Sequence, residues 1–251
     1  MENKYNEYIK ELYDSPAIYI KEFENYHDDI YFWPKIVAKV KPNSILEVGI
    51  GNGRLIGLLH DKAKEYDGID FSRGIVEYCS REYDFSNVTL YNQDLKQCYI
   101  DKKYDLIIMP FNVINNFYSI NDISEMFTHL RELCHNESLI IIDTINPKTT
   151  DLMNQDEYKR CNEFEVNGKV VEVYEKKYYD ESSATCVYNK RYVIEGNTIK
   201  EVILPNRIFS CDELQSIIEM HNFQIINSYG DYNFEDLSRE SRKQIYVLRR
   251  K

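Results

Sequence analysis

Residues 45–54 read Ile45-Leu46-Glu47-Val48-Gly49-Ile50-Gly51-Asn52-Gly53-Arg54, an apolar run that ends in a carboxylate and opens onto three alternating glycines. Ser44 to Val48 has the length and apolar content of a buried parallel strand, and Leu55-Ile56-Gly57-Leu58-Leu59 begins a helix. Glycines between such a strand and helix let the backbone approach a ligand closely, so the stretch reads as a cofactor-binding loop. A dinucleotide loop is written G-x-G-x-x-G, whereas this one is E-x-G-x-G-x-G, with Arg54 where the third dinucleotide glycine would fall. Taken alone, the triplet also fits a plain tight turn.

The chain beyond it repeats one design. Tyr66-Asp67-Gly68-Ile69-Asp70-Phe71-Ser72 is a second short strand ending in an acid, where this architecture binds ribose hydroxyls. A carboxylate at Asp70 can accept two hydrogen bonds from a vicinal diol; the bland alternative makes it the N-cap of the next helix. Asn87-Val88-Thr89-Leu90-Tyr91-Asn92-Gln93-Asp94-Leu95 again delivers an acid at the strand end, although Asp94 by itself is an ordinary turn residue. Tyr104-Asp105-Leu106-Ile107-Ile108-Met109-Pro110-Phe111-Asn112 is a fourth strand opened by an aromatic-acid pair.

This succession of strand ends resembles the motifs of class I S-adenosylmethionine-dependent methyltransferases of the small-molecule type, and is similar to the deoxyamino-sugar N-methyltransferases. The resemblance implies an α/β fold: a Rossmann-like, seven-stranded, mostly parallel sheet flanked by helices, with an antiparallel β insertion after the fifth strand. It implies S-adenosylmethionine as cofactor and S-adenosylhomocysteine as product. Glu47, Gly49, Gly51 and Gly53 would form the cofactor loop, Asp70 beside Phe71 would take the ribose, and Asp94 would accept from the adenine amine while the Leu95 N–H donates to a ring nitrogen. Pro110 would sit at the methyl end, and Tyr13 of the pair Tyr13-Asp14 would meet the methionine part.

Composition narrows the partners. With 251 residues and 43% hydrophobic content the chain can fill a core. It has no apolar run near the roughly 20 residues that span a bilayer, and its polar start lacks a signal pattern. A soluble cytoplasmic protein, without membrane partners, is expected. Six scattered cysteines show neither C-x-x-C nor histidine spacing, so no metal site is expected. The net charge of −11 opposes binding to a phosphate backbone, which makes nucleic acid a poor acceptor.

The patterning divides the chain into an amino-terminal helical lid at 1–40, a methyltransferase core at 41–160 and 210–251, and an antiparallel insertion at 161–209. In the resembled family such an insertion roofs the acceptor pocket or pairs two copies into a homodimer; an ornamental sheet is the plain alternative. Ser210-Cys211-Asp212-Glu213 fits a capping box.

Methyl transfer needs alignment more than acid-base machinery. The reaction face is expected after the fourth strand, with Asn112 and Asn115 as acceptor contacts and Asn116 where related sugar N-methyltransferases carry a histidine. An asparagine orients by hydrogen bonding but cannot take a proton at neutral pH, which leaves positioning as the simplest mechanism. His27, beside Asp28, is the histidine that could act as a base; Tyr178, Arg207 and Tyr229 are further acceptor candidates. The expected activity is methyl transfer to an N or O atom of a small molecule such as an amino sugar. A tRNA or protein methyltransferase, or a non-catalytic cofactor-binding protein, are the alternatives.

Overall fold

The computed structural model describes residues 16–148 and 152–251. Its centre is a seven-stranded sheet in the order β10-β11-β5-β4-β1-β2-β3. The strands are β1 (Ser44–Val48), β2 (Glu65–Asp70), β3 (Val88–Asn92), β4 (Tyr104–Met109), β5 (Cys134–Ile145), β10 (Phe223–Tyr229) and β11 (Lys243–Arg250). The first five run parallel, while β11 is antiparallel to both β5 and β10. The seven-stranded, mostly parallel sheet read from the sequence is therefore the one observed.

Strands buried on both faces explain their nearly continuous apolar runs. Leu46, Val48, Ile107, Met109, Ile140 and Ile142 point to one side, onto Ile123, Met126, Phe127 and Leu130 of helix α5 (Ile120–Glu132) and Leu214 and Ile218 of helix α6 (Cys211–Met220). Ile45, Leu106, Ile108 and Ile141 point to the other. There they meet Phe32, Trp33, Ile36 and Val37 of α2 (Phe32–Val40), Leu55, Ile56 and Leu59 of α3 (Arg54–Leu59), and Ile75 and Cys79 of α4 (Arg73–Glu82). A short helix, α1 (Ala17–Glu22), precedes them.

Helix starts follow the capping rules unevenly. Ser119 and Asp122 form a reciprocal capping box on α5. On α6 only half of the expected box forms: Ser210 Oγ accepts from the Glu213 N–H, but the Glu213 carboxylate is taken by the Arg207 guanidinium.

The second sheet is an antiparallel meander, β6 (Gln155–Val166), β7 (Lys169–Asp180), β8 (Thr185–Ile194) and β9 (Asn197–Arg207). Two of its turns have two residues at positive φ, Asn167-Gly168 and Glu195-Gly196, which suits the right-handed twist of the flanking strands. β6 begins ahead of residue 161; its polar edge strand offers no apolar alternation to mark its start. Among the described residues no helix is long and apolar enough to cross a membrane.

Candidate functional site

In the large sheet the strand order reverses at β1, which lies between β4 and β2. Crevices open at the carboxyl ends of strands at such a switch point. Gly49, Gly51 and Gly53 leave β1 with φ of 74°, 54° and 75°, a region that side-chain-bearing residues rarely adopt. Space is also absent: a Cβ on Gly49 would lie 2.5 Å from Val113 Cγ2, and one on Gly53 would lie 2.3 Å from the Tyr83 ring.

Asp70 faces this loop. One carboxylate oxygen accepts from the Gly51 N–H at 3.4 Å and the other from the Ser72 N–H at 2.9 Å. Burial pushes the Asp70 carboxyl up to about 6, against the pull of those two N–H groups. The cap of α4 is Ser72, whose side chain accepts from the Ile75 N–H, so Asp70 is not used as a helix cap.

Glu47 lies behind the loop, nearly unexposed, and accepts from the Tyr66 hydroxyl at 2.6 Å. Burial pushes its carboxyl up to about 8, while the Tyr66 hydroxyl and Arg54 pull it down. Its folded value exceeds the ordinary 4.5, so its protonation stabilises the fold and that contribution is lost as pH rises through about 8. Glu47→Gln is therefore expected to raise the melting temperature at pH 9 and to change it little at pH 5.5. Equal melting temperatures at pH 9 would show that ionising Glu47 costs the fold nothing.

At the end of β3, Asp94 caps a short 3-10 turn, Leu95–Gln97, by accepting from the Lys96 N–H at 2.9 Å. The N–H of Leu95 opens that turn and has no partner within it. Asn92 Nδ2 donates to the carbonyls of Asp70 and Phe71 and so fixes the spacing between the ends of β2 and β3.

β4 leaves through Pro110 into two consecutive left-handed residues, Phe111 (φ 52°) and Asn112 (φ 64°). Strain of this kind persists only where its surroundings over-determine it, and it gathers at functional sites. Here the fully buried Asp143 of β5 holds it. Its carboxylate accepts from the Phe111 N–H at 2.9 Å and the Tyr232 hydroxyl at 2.7 Å, its carbonyl accepts from the Asn112 N–H, and Lys243 Nζ pairs with it at 3.0 Å.

The segment before α2 closes over this end. Arg54 makes a bidentate pair with Asp29 at 2.5 and 2.7 Å, and Asp29 also accepts from the Trp33 indole N–H at 2.8 Å. The residue that departs from the dinucleotide pattern thus ties the glycine loop to the amino-terminal segment. Tyr26 and Phe23 pack on the Phe111 ring, and Asn52 Nδ2 donates to the Phe23 carbonyl.

The meander lies above. Asn115 Nδ2 donates to the Arg207 carbonyl at 2.7 Å, and the Tyr118 hydroxyl donates to the Pro205 carbonyl at 3.0 Å, pinning β9 to the turn after β4. From the other side, the Glu22 carboxylate of α1 takes Lys190 Nζ and the Tyr192 hydroxyl of β8, each at 2.7 Å. Core, amino-terminal segment and meander together line one cavity of about 620 Å³.

Gly49, Gly51, Asp70, Phe71, Asp94, Leu95 and Pro110 line this cavity, as do Asn112 and Asn116. Tyr13 lies outside the described residues. Gly53 and Glu47 stand behind the lining, holding the loop's shape. His27 is exposed and away from the cavity. Asn115, buried, is spent on the Arg207 carbonyl and the Thr144 hydroxyl; Arg207 is spent on Glu213 and the carbonyls of Tyr118 and Ser183. Tyr229 is packed among Phe32 and Phe234, with its hydroxyl accepting from Asn227.

Strand parity accounts for Tyr178. On β7 the buried Val171 and Val173 mark the inner face, so Glu175 follows them inward while Tyr178, nearly half exposed, falls on the other parity. Glu22, Phe23, Glu175, Tyr188, Lys190 and Asn206 line the cavity and were missed. The inward row Tyr188, Lys190, Tyr192 on β8 was the available signal.

Comparison with known proteins agrees with this geometry. Residues 45–137 match the methyltransferase domain family. The malonyl-[acyl-carrier protein] O-methyltransferase of Acetivibrio thermocellus is 28% identical over 107 residues, 42% of this chain; the match spans about a third (36%) of that relative's length. An S-adenosylmethionine-dependent methyltransferase from Clostridium acetobutylicum superposes with a TM-score of 0.78 at 15% identity, covering 93% of this chain and 96% of that one. The CcbJ methyltransferase from Streptomyces caelestis gives 0.77 at 18% identity, covering 100% and 99%. The sugar N-methyltransferase KedS8 from a Streptoalloteichus species gives 0.74 at 11% identity, covering 94% and 92%. Residues 45–137 thus match a methyltransferase domain, and the chain shares its fold with solved S-adenosylmethionine-dependent methyltransferases.

Proposed function

We propose that the protein moves a methyl group from S-adenosylmethionine to an N or O atom of a small molecule, an amino sugar or other secondary metabolite, held between the core and the meander. The carrying observation is that a single cavity has strand-end residues on one side and meander side chains on the other. About 620 Å³ falls within the range of small-ligand sites, and a roof pinned to both α1 and the β4 exit leaves an acceptor of modest size as the natural occupant.

The residues present fit the cofactor. The Asp70 carboxylate would take the ribose diol, Asp94 and the Leu95 N–H the adenine edge, and the glycine loop the backbone-close portion of the chain between them. When bound, the cofactor supplies an electrophilic methyl group on a sulfonium. The protein's part is then to align the acceptor and exclude water. Asn116, whose side-chain amide has no hydrogen-bond partner among the described residues, would orient the acceptor from the cavity wall. A base at His27 is disfavoured by its exposed position.

Similarity to a sugar N-methyltransferase and a net charge of −11 both favour a small, non-polyanionic acceptor. Incubation with methyl-labelled S-adenosylmethionine and a host extract, then separation into small-molecule, RNA and protein fractions, tests this. Label is expected in the small molecules and lost with Asp70→Ala; label confined to RNA or protein would overturn the reading.

A further inference from the structure

The inner face of the meander changes from apolar to polar where it enters the cavity. Val171, Val173, Tyr192 and Val202 form its apolar cluster, and Ile18 and Tyr19 of α1 pack beneath them. The next inward position on β7 after Val173 is Glu175, a carboxylate that continues the row into the cavity. Its register partner on β8 is Lys190, but that ammonium is spent on Glu22 at 2.7 Å and is only 12% exposed. Among the described residues, nothing hydrogen-bonds or ion-pairs with the Glu175 carboxylate.

Other charged groups stand near it without pairing with it. Lys177 lies two positions along β7, Lys159 is its register partner on β6, and Glu22 approaches from α1. Burial raises the Glu175 carboxyl, with Glu22 adding and Lys190 and Lys177 opposing. The charged side chains lining this end of the cavity are Glu22, Glu175 and Lys190; Lys190 matches Glu22, which leaves the Glu175 carboxylate open to a cation. Asn116 and Asn206 add neutral hydrogen-bonding groups nearby, and Tyr188 a phenol.

We propose that Glu175 makes the protein an N-methyltransferase: its carboxylate receives the ammonium group of an aliphatic amine acceptor and takes one proton from it. This rests on the small-molecule reading above. In that step an N–H bond breaks with its electron pair left on nitrogen, and an O–H bond forms on a Glu175 carboxylate oxygen. Ammonium and carboxylate become a neutral amine and a neutral carboxylic acid, and the acid later returns its proton to solvent. The burial that raises the Glu175 carboxyl suits it to this exchange, because a carboxylate at its ordinary value would hold the proton too weakly. Alcohols bring no positive charge to this carboxylate, so amines are preferred.

The test begins with the compound labelled in the host extract and the atom that carries its new methyl group. An N-methyl product from the wild-type protein is expected; methyl on oxygen overturns this inference while leaving the small-molecule reading intact. Absence of any labelled small molecule overturns both. With the unmethylated compound recovered from the extract, Glu175→Gln is expected to lower kcat/KM at pH 7 at least about tenfold, with the deficit shrinking toward pH 10, where the free amine predominates. Glu175→Asp should recover part of the loss. Calorimetry supplies a readout besides turnover: Glu175→Gln should bind S-adenosylhomocysteine as the wild type does and the amine more weakly at pH 7. Unchanged amine affinity together with a wild-type pH profile would show that Glu175 does not receive the acceptor.

Discussion

Replacing Asp143 with alanine is expected to destabilise the protein by about 3–5 kcal/mol, the cost of breaking a buried charge pair from one side. Its carboxylate is fully buried between Lys243 Nζ at 3.0 Å, the Tyr232 hydroxyl at 2.7 Å and the Phe111 N–H at 2.9 Å. Alanine would leave a poorly exposed ammonium without its counter-charge and a backbone donor without its side-chain acceptor. It would also release Phe111 and Asn112, whose left-handed φ values of 52° and 64° nothing local favours. Stability and cofactor affinity should therefore fall together. Asp143→Asn, which keeps an oxygen for Phe111 but loses the charge, should fall between wild type and Asp143→Ala. Urea unfolding checks this, and a loss below about 1 kcal/mol for alanine would show that Lys243 re-solvates cheaply and that the strained exit is held by something else.

The second large effect is on binding. Asp70→Ala is expected to weaken S-adenosylhomocysteine affinity at least about tenfold, or roughly 1.4 kcal/mol, because on the proposed reading it removes the charge-assisted acceptor for the ribose diol. Its pH dependence follows from burial. The carboxyl titrates near 6, and the ionised form is the better acceptor, so affinity should be full above about pH 7 and fall as pH drops through 6. At pH 5 the loss for one linked proton is about tenfold. Calorimetric titration of wild type, Asp70→Ala and Asp70→Asn at pH 7.5 and 5 checks both points. Asp70→Asn should show weak binding without the slope; a wild-type slope in that variant would assign the pH dependence to another group.

The core was legible because its signals are local. An apolar strand, a glycine loop and a terminal acid recur within a few residues of each other, and buried parallel strands write themselves as unbroken apolar runs such as Leu106–Met109. The site's acceptor side was much less legible. Glu22 meets Lys190 and Tyr192 across 168 and 170 residues of sequence, a pairing that no local pattern announces. Arg54 stood out as a departure from the dinucleotide loop, but its partner Asp29 could be found only in three dimensions.

The meander's strands carry polar residues on both faces, so their sequence does not mark which aromatic and basic residues face inward. Tyr178 fell on the outer parity, and Arg207, at the end of β9, was drawn into holding the fold by Glu213. Among 22 tyrosines, composition alone could not single out Tyr19, Tyr188 and Tyr192 as cavity residues. The burial of Val171 and Val173, visible only in the structure, puts Glu175 on the inner face.

With the cofactor against the strand ends, the proposed reading leaves the other half of the cavity, under the meander, for the acceptor. A crystal structure with S-adenosylhomocysteine would decide this. The ribose hydroxyls are expected on Asp70 and the adenine beside Asp94 and Leu95, with unfilled space bounded by Asn116, Glu175 and Asn206. A nucleoside bound away from Asp70, or a ligand that fills the space beneath the meander and leaves none for an acceptor, would contradict it.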